Sequence, residues 1–133
     1  MLSDAYYPTL AKCVTCFQIK RDTGLWFSAE YASFSVGSEA DKYRLSVSGY
    51  SGDAGDALAA PVISYRIANG MKFTTPDQDN DEDPGQCGGR VTAWWFNKCA
   101  RSLLNIDMDG IWNAVTDESI TDIMDARMMV KLD

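Results

Sequence analysis

"YRLSVSGY", residues 43–50, decides what kind of chain this is. Tyr43, Leu45 and Val47 alternate with Arg44, Ser46 and Ser48. A period of two sends neighbouring side chains to opposite faces, so the stretch reads as a half-buried β-strand. Upstream, "LWFSAEYASFSV" (25–36) alternates partially over Tyr31, Ser33, Phe34 and Val36 and reads as another strand. Gly37-Ser38-Glu39 between them reads as a turn. Downstream, "GYSGDAGDAL" (49–58) holds three glycines within seven residues and reads as a tight loop. "APVISYRIANGMKF" (60–73) sets two short apolar runs around Asn69-Gly70, a hairpin dipeptide.

Farther out the pattern weakens. "VTAWWFNKC" (91–99) is strand-like, and alternation there predicts one buried tryptophan and one near a surface. "LLNIDMDGIW" (103–112) is turn-rich. In the tail, Ile120, Ile123, Met124 and Arg127 fit a helical spacing, while residues 128–132 fit a closing strand. Residues 1–20 show no period and are interrupted by Pro8, so they stand apart, unassigned, from a domain spanning 21–133.

Composition narrows the function classes. The 133 residues suit one domain, and 46% apolar content suits a packed core. Twelve basic against nineteen acidic residues give a net charge of −7 with no basic stripe, which disfavours nucleic acid as a partner. No run of about 18 apolar residues is present to span a bilayer. There is no histidine, so the usual general base and commonest metal ligand are both missing. A metal here is expected on oxygen ligands, which favours calcium, with soft cysteine sites left only at Cys13 and Cys16 and at Cys87 with Cys99. No triad, phosphate loop or dinucleotide fingerprint occurs, and the chain is expected not to be an enzyme.

"DQDNDEDPGQC" (77–87) crowds Asp77, Asp79, Asp81, Glu82 and Asp83 together. Two carboxylates about 6 Å apart repel by roughly 3 kcal/mol at an effective dielectric near 20. A bound cation or a solvated loop each accounts for the run. An EF-hand does not. Counting from Asp77, Glu82 occupies the glycine position and Gly88 the glutamate position; counting from Asp79, Pro84 and Arg90 do. Spacing alone leaves Cys87 and Cys99 open as a disulfide or as two buried thiols. Cys13 and Cys16 find no role, and their spacing reads as accidental.

Together, "EYASFSVGSEADKYRLSVSGYSGDAGDAL" (30–58), "NGMKFTTPDQDND" (69–81) and "CGGRVTAWWFNKCARSLLN" (87–105) resemble the C-terminal fibrinogen-like domain of fibrinogen chains, ficolins, tachylectins, angiopoietins and tenascins. Order and spacing match over roughly residues 27–105, with faint similarity in "DGIW" and "MMVKL". The resemblance implies an α+β fold, with a twisted antiparallel sheet, long functional loops and few short helices. It implies a calcium site in which Asp79 and Asp81 supply carboxylates and Asp83 and Gly85 supply main-chain carbonyls. It implies a Cys87–Cys99 disulfide and, as in the lectin members, a cis Lys98–Cys99 peptide that turns a backbone N–H toward an acetyl group. The ligand loop is then Phe96, Asn97, Lys98, Cys99 and Ala100.

The chain departs from the pattern at Ala100, where the lectins usually carry histidine, and at Arg90, where a pocket wall would fall. Only residues 106–108 replace a longer tyrosine-bearing stretch, and the opening strands of the family find no match in residues 1–20. The expectation is a secreted, calcium-binding recognition domain for acetylated glycans or pathogen surfaces, with a place in innate immunity. The alternatives are a protein-binding adhesion or signalling module, and a truncated member without a working sugar pocket. Partners are acetylated glycans, a protein receptor, or further copies of this protein as a homo-oligomer. The N-terminus lacks a secretory signal and alone points to the cytoplasm. The resemblance points instead to an extracellular location.

Overall fold

A computed structural model describes residues 15–61, 63–87, 92–105, 110–112 and 123–131. Strands β1 (Thr15–Arg21), β2 (Trp26–Val36), β3 (Leu45–Gly52) and β6 (Ile123–Val130) form an antiparallel sheet in the order β3-β2-β1-β6. Strands β4 (Ser102–Leu103) and β5 (Ile111–Trp112) make a separate antiparallel pair. Among the described residues, the helical content is two 3-10 turns, Glu39–Asp41 and Ser64–Arg66. The α+β expectation of an antiparallel sheet with long loops and few helices describes this architecture.

β1 lies in the segment where the sequence shows no period. It is a central strand, and Thr15, Cys16, Phe17, Gln18 and Ile19 are all buried. A strand covered on both faces need not alternate, which hides it from a search for period two. Phe17 anchors the core. Its ring meets Tyr31 at 5.8 Å, Phe34 at 6.4 Å and Trp112 at 5.3 Å between centroids. Fully burying such a side chain contributes about 1.5–3 kcal/mol.

In β3 the expected face forms at Leu45 and Val47, which are buried, opposite exposed Ser46 and Ser48. Tyr43 does not join it: with φ +55° it precedes the strand and is 46% exposed. The pattern also changes at Gly49, where φ is +71° and an added Cβ would lie 2.6 Å from Ala32 Cβ. Beyond it Tyr50, not an odd-numbered residue, packs on the core.

Three further expectations change. Asn69-Gly70 turns the backbone but makes no hairpin. The flanking backbone bonds elsewhere: Ala68 and Asn69 N–H donate to Leu58 O, and Gly70 N–H donates to Leu45 O. Residues 92–99 form no strand, only isolated bridges such as Thr74 with Trp94. Trp94 and Trp95 are therefore both buried, and each indole N–H finds an acceptor: Ser102 Oγ at 3.3 Å and Tyr43 O at 2.9 Å. The tail resolves as β6 from Ile123 onward, antiparallel to β1; Ile120 lies outside the described residues.

Candidate functional site

The sheet delivers the acidic loop through the segment before it. Leu45 N–H donates to Met71 O, and Phe73 N–H donates to Lys42 O. Thr74 and Trp94 then exchange backbone bonds at 2.9 and 3.1 Å. Residues 70–74 are thus fixed to the start of β3 and to the tryptophan segment. The loop leaves from there. Thr75 and Gln78 close a tight turn by mutual backbone bonds, with Thr75 Oγ1 donating to Asp77 Oδ1 at 2.7 Å. Asn80 is an anchor that sequence reasoning missed. Its N–H donates to Thr74 Oγ1 and its Nδ2 to Phe73 O, both at 2.9 Å. An asparagine among aspartates carries no signal of that role in sequence.

Beyond Asn80 the carboxylates form a stair. Asp81 N–H donates to Asp79 Oδ1 (3.1 Å), Asp83 N–H to Asp81 Oδ1 (3.0 Å), and Gly85 N–H to Asp83 Oδ1 (2.8 Å). At each step a carboxylate accepts from the backbone two residues on, the local habit of aspartate in turns. Cys87 N–H donates to Asp81 Oδ2 at 2.9 Å, and Gln86 Nε2 ties the loop's end to Pro76 O at 3.0 Å.

Asp81 carries the electrostatic load. Burial pushes its carboxyl above the ordinary value, and the hydrogen bond and charge of Asp79 push further; the Cys87 and Asp83 N–H groups pull it down. Among the described residues, no lysine or arginine pairs with Asp77, Asp79, Asp81, Glu82 or Asp83. The donor set is hard oxygen, and each carboxylate oxygen that takes an N–H keeps a further lone pair. That chemistry fits calcium at Asp79, Asp81 and the carbonyls of Asp83 and Gly85. A soft-metal site does not fit. The Asp83 carboxylate and the Cys87 and Cys99 sulfurs lie within 4.8 Å of one another, but the two sulfurs are bonded to each other.

Cys87 and Cys99 form a disulfide with Cα atoms 5.1 Å apart. The segment it closes contacts the acidic loop directly, since Glu82 N–H donates to Asn97 O at 3.1 Å. The Lys98–Cys99 peptide is trans, which corrects the cis expectation. The backbone reverses instead at Cys99, with φ +57° and Asn97 N–H donating to Cys99 O. The left-handed conformation costs about 1–2 kcal/mol for a residue with a Cβ, less than a non-proline cis bond. The Cys99 N–H donates to Cys87 Sγ at 3.0 Å. Of the remaining ligand-loop residues, Phe96 is buried in the core, Ala100 is half-buried against it, Asn97 is half-buried and Lys98 is exposed. Lys98 N–H donates to Tyr65 O, linking the 3-10 turn Ser64–Arg66 to this loop. Arg90 and residues 106–108 lie outside the described residues. Cys16 is buried and disulfide-bonded, which corrects the reading that it finds no role; Cys13 lies outside the described residues.

An open apolar groove of about 400 Å³, lined by Val36, Tyr43, Phe73, Thr75 and Trp95, runs beside the loop's start. No local pattern announces it, because its residues come from four separate segments.

Comparison with known proteins fits this geometry. Residues 10–122 match the family model of the fibrinogen beta and gamma chains, C-terminal globular domain. Human (Homo sapiens) fibrinogen-like protein 1 is 39% identical over 98 residues, covering 69% of this chain and 31% of the relative. Mouse (Mus musculus) fibrinogen gamma chain is 40% identical over 97 residues, covering 66% and 22%. The protein thus spans about a third or less of the curated relatives it matches. Among solved structures, the fibrinogen-like globe domain of human ANGPTL2 superposes with TM-score 0.68 at 27% identity, over 88% of this chain and 56% of that one. Lamprey fibrin D-dimer, complexed with the peptide ligand Gly-His-Arg-Pro-amide, gives TM-score 0.64 at 32% identity, over 68% and 31%.

Proposed function

Because this protein belongs to the family of C-terminal globular domains of the fibrinogen beta and gamma chains, we propose that it is an extracellular, calcium-stabilised recognition domain for a protein partner. It binds; it does not turn over a substrate. The carrying observation is the crowding of Asp79 against Asp81 with no basic counter-ion among the described residues. Calcium supplies the missing positive charge. Asp79 and Asp81 hold it by carboxylate, Asp83 and Gly85 by main-chain carbonyl, and water completes the shell. The disulfide supports an oxidising compartment, where such bonds persist. Among the described residues, no helix is long and apolar enough to cross a membrane.

A protein partner is favoured over an acetylated glycan by the fate of one N–H. The Cys99 amide, which the lectin resemblance assigns to an acetyl group, is used on Cys87 Sγ. Phe96 lies in the core, and Ala100 offers no ring to wall a pocket. The peptide named with the lamprey structure supports the same direction. Chromatography on an acetylated resin in calcium separates the two readings. The protein-binding reading predicts flow-through of calcium-loaded protein. Retention released by free N-acetylglucosamine would overturn it in favour of the lectin.

A further inference from the structure

We propose that the Cys87–Cys99 disulfide is a thiol-exchange site, in which a small-molecule thiolate attacks Cys99 Sγ and Cys87 departs. Both cysteines are half-buried, so a small thiol reaches them without unfolding the core. The two sulfurs are not equivalent. The Cys99 N–H already points at Cys87 Sγ from 3.0 Å, and Asn97 O lies 3.8 Å from the same sulfur. A sulfur that gains an electron pair is stabilised by an N–H aimed at it. Once protonated, it finds a carbonyl acceptor in place. Cys99 Sγ shows neither partner among the described residues.

The external thiolate forms a new S–S bond to Cys99 Sγ while the Cys87–Cys99 bond breaks. The bond's electron pair goes to Cys87 Sγ, which takes a proton from water. No net oxidation occurs. A second thiolate releases Cys99 as a thiol and leaves as a symmetrical small-molecule disulfide. Opening the bridge also relieves the left-handed backbone at Cys99 and frees the segment that Glu82 grips through Asn97 O. Charge sets the rate. The Asp83 carboxylate lies within 4.8 Å of both sulfurs and opposes an incoming anion, while Lys98 is the neighbouring cation in sequence.

The test uses the intact protein with chelator present, so it does not depend on calcium binding. Protein is exposed to limiting glutathione, quenched with N-ethylmaleimide and mapped by mass spectrometry. The expected result is glutathione on Cys99 and alkyl on Cys87, in at least about tenfold excess over the reverse. Equal or reversed placement overturns the proposal. So does a bridge that stays closed under conditions that exchange an unconstrained reference disulfide. As a second readout, Asp83→Asn should raise the rate about fourfold, the effect of one charge at this distance in water. An unchanged or lower rate contradicts the charge geometry.

Discussion

The N–H of Cys87 donates to Asp81 Oδ2 at 2.9 Å. One residue thereby carries both a sulfur of the bridge and a donor to a carboxylate that burial and Asp79 both load. The bond from Glu82 N–H to Asn97 O locks the same two segments from the other side. The acidic loop and the bridged segment therefore behave as one unit. A change in either is felt in the other.

Neutralising one carboxylate should have opposite effects with and without calcium. Asp79→Asn keeps the acceptor for Asp81 N–H but removes the charge that crowds Asp81. Thermal melts in chelator should show the variant slightly more stable than wild type, by up to about 1 kcal/mol. Melts in calcium should show it less stable, because the ion's contribution to the native state, RT ln(1 + [L]/Kd), is larger for wild type than for a variant with a weaker site.

Removing the bridge should loosen the whole unit. A Cys87→Ala/Cys99→Ala variant loses a short closed loop, worth roughly 3 kcal/mol in the chain-entropy model. Urea denaturation should show the loss as a lower midpoint with little change in slope. The rise in melting temperature with calcium should shrink in the same variant.

Tyr31 makes alkaline pH a probe of the core. Its hydroxyl donates to Asp56 Oδ1 at 2.7 Å. Burial, then the hydrogen bond and charge of Asp56, push the phenol far above its ordinary value. A folded-state value above the unfolded one means this contribution is complete below about pH 10 and is lost as pH rises beyond it. Denaturation across about pH 9–11 should show wild type weakening above about pH 10. Tyr31→Phe should cost about 1–2 kcal/mol at neutral pH and flatten that decline.

Two glycines should separate strain from crowding. Gly24 sits at φ +86° with open space around it, so Gly24→Ala should cost about 1 kcal/mol. Gly49 combines a positive φ with a Cβ clash against Ala32, so Gly49→Ala should cost about 3 kcal/mol or more. Chemical denaturation of the two variants side by side checks the order.

Legibility in the sequence followed from how each segment is buried. Leu45 and Val47 were readable because β3 has one wet face. β1 was not, since its buried run Thr15–Ile19 faces the interior on both sides. The Trp94-Trp95 pair misled because alternation assumes a strand, and an irregular segment instead turned both indoles inward to Ser102 and Tyr43. The acidic run marked where charge accumulates. It did not reveal that Asn80 anchors the run or that Cys87 N–H pins Asp81. Those depend on how the loop folds back on itself over six or seven residues, which neither a period nor residue type encodes.

Calorimetric titration of calcium into the oxidised protein, with Asp79→Ala run in parallel, tests the central claim most directly. The account predicts one saturable site in wild type and at least about a tenfold weaker one in the variant. No heat of binding up to millimolar calcium, or equal affinity in both proteins, would contradict it.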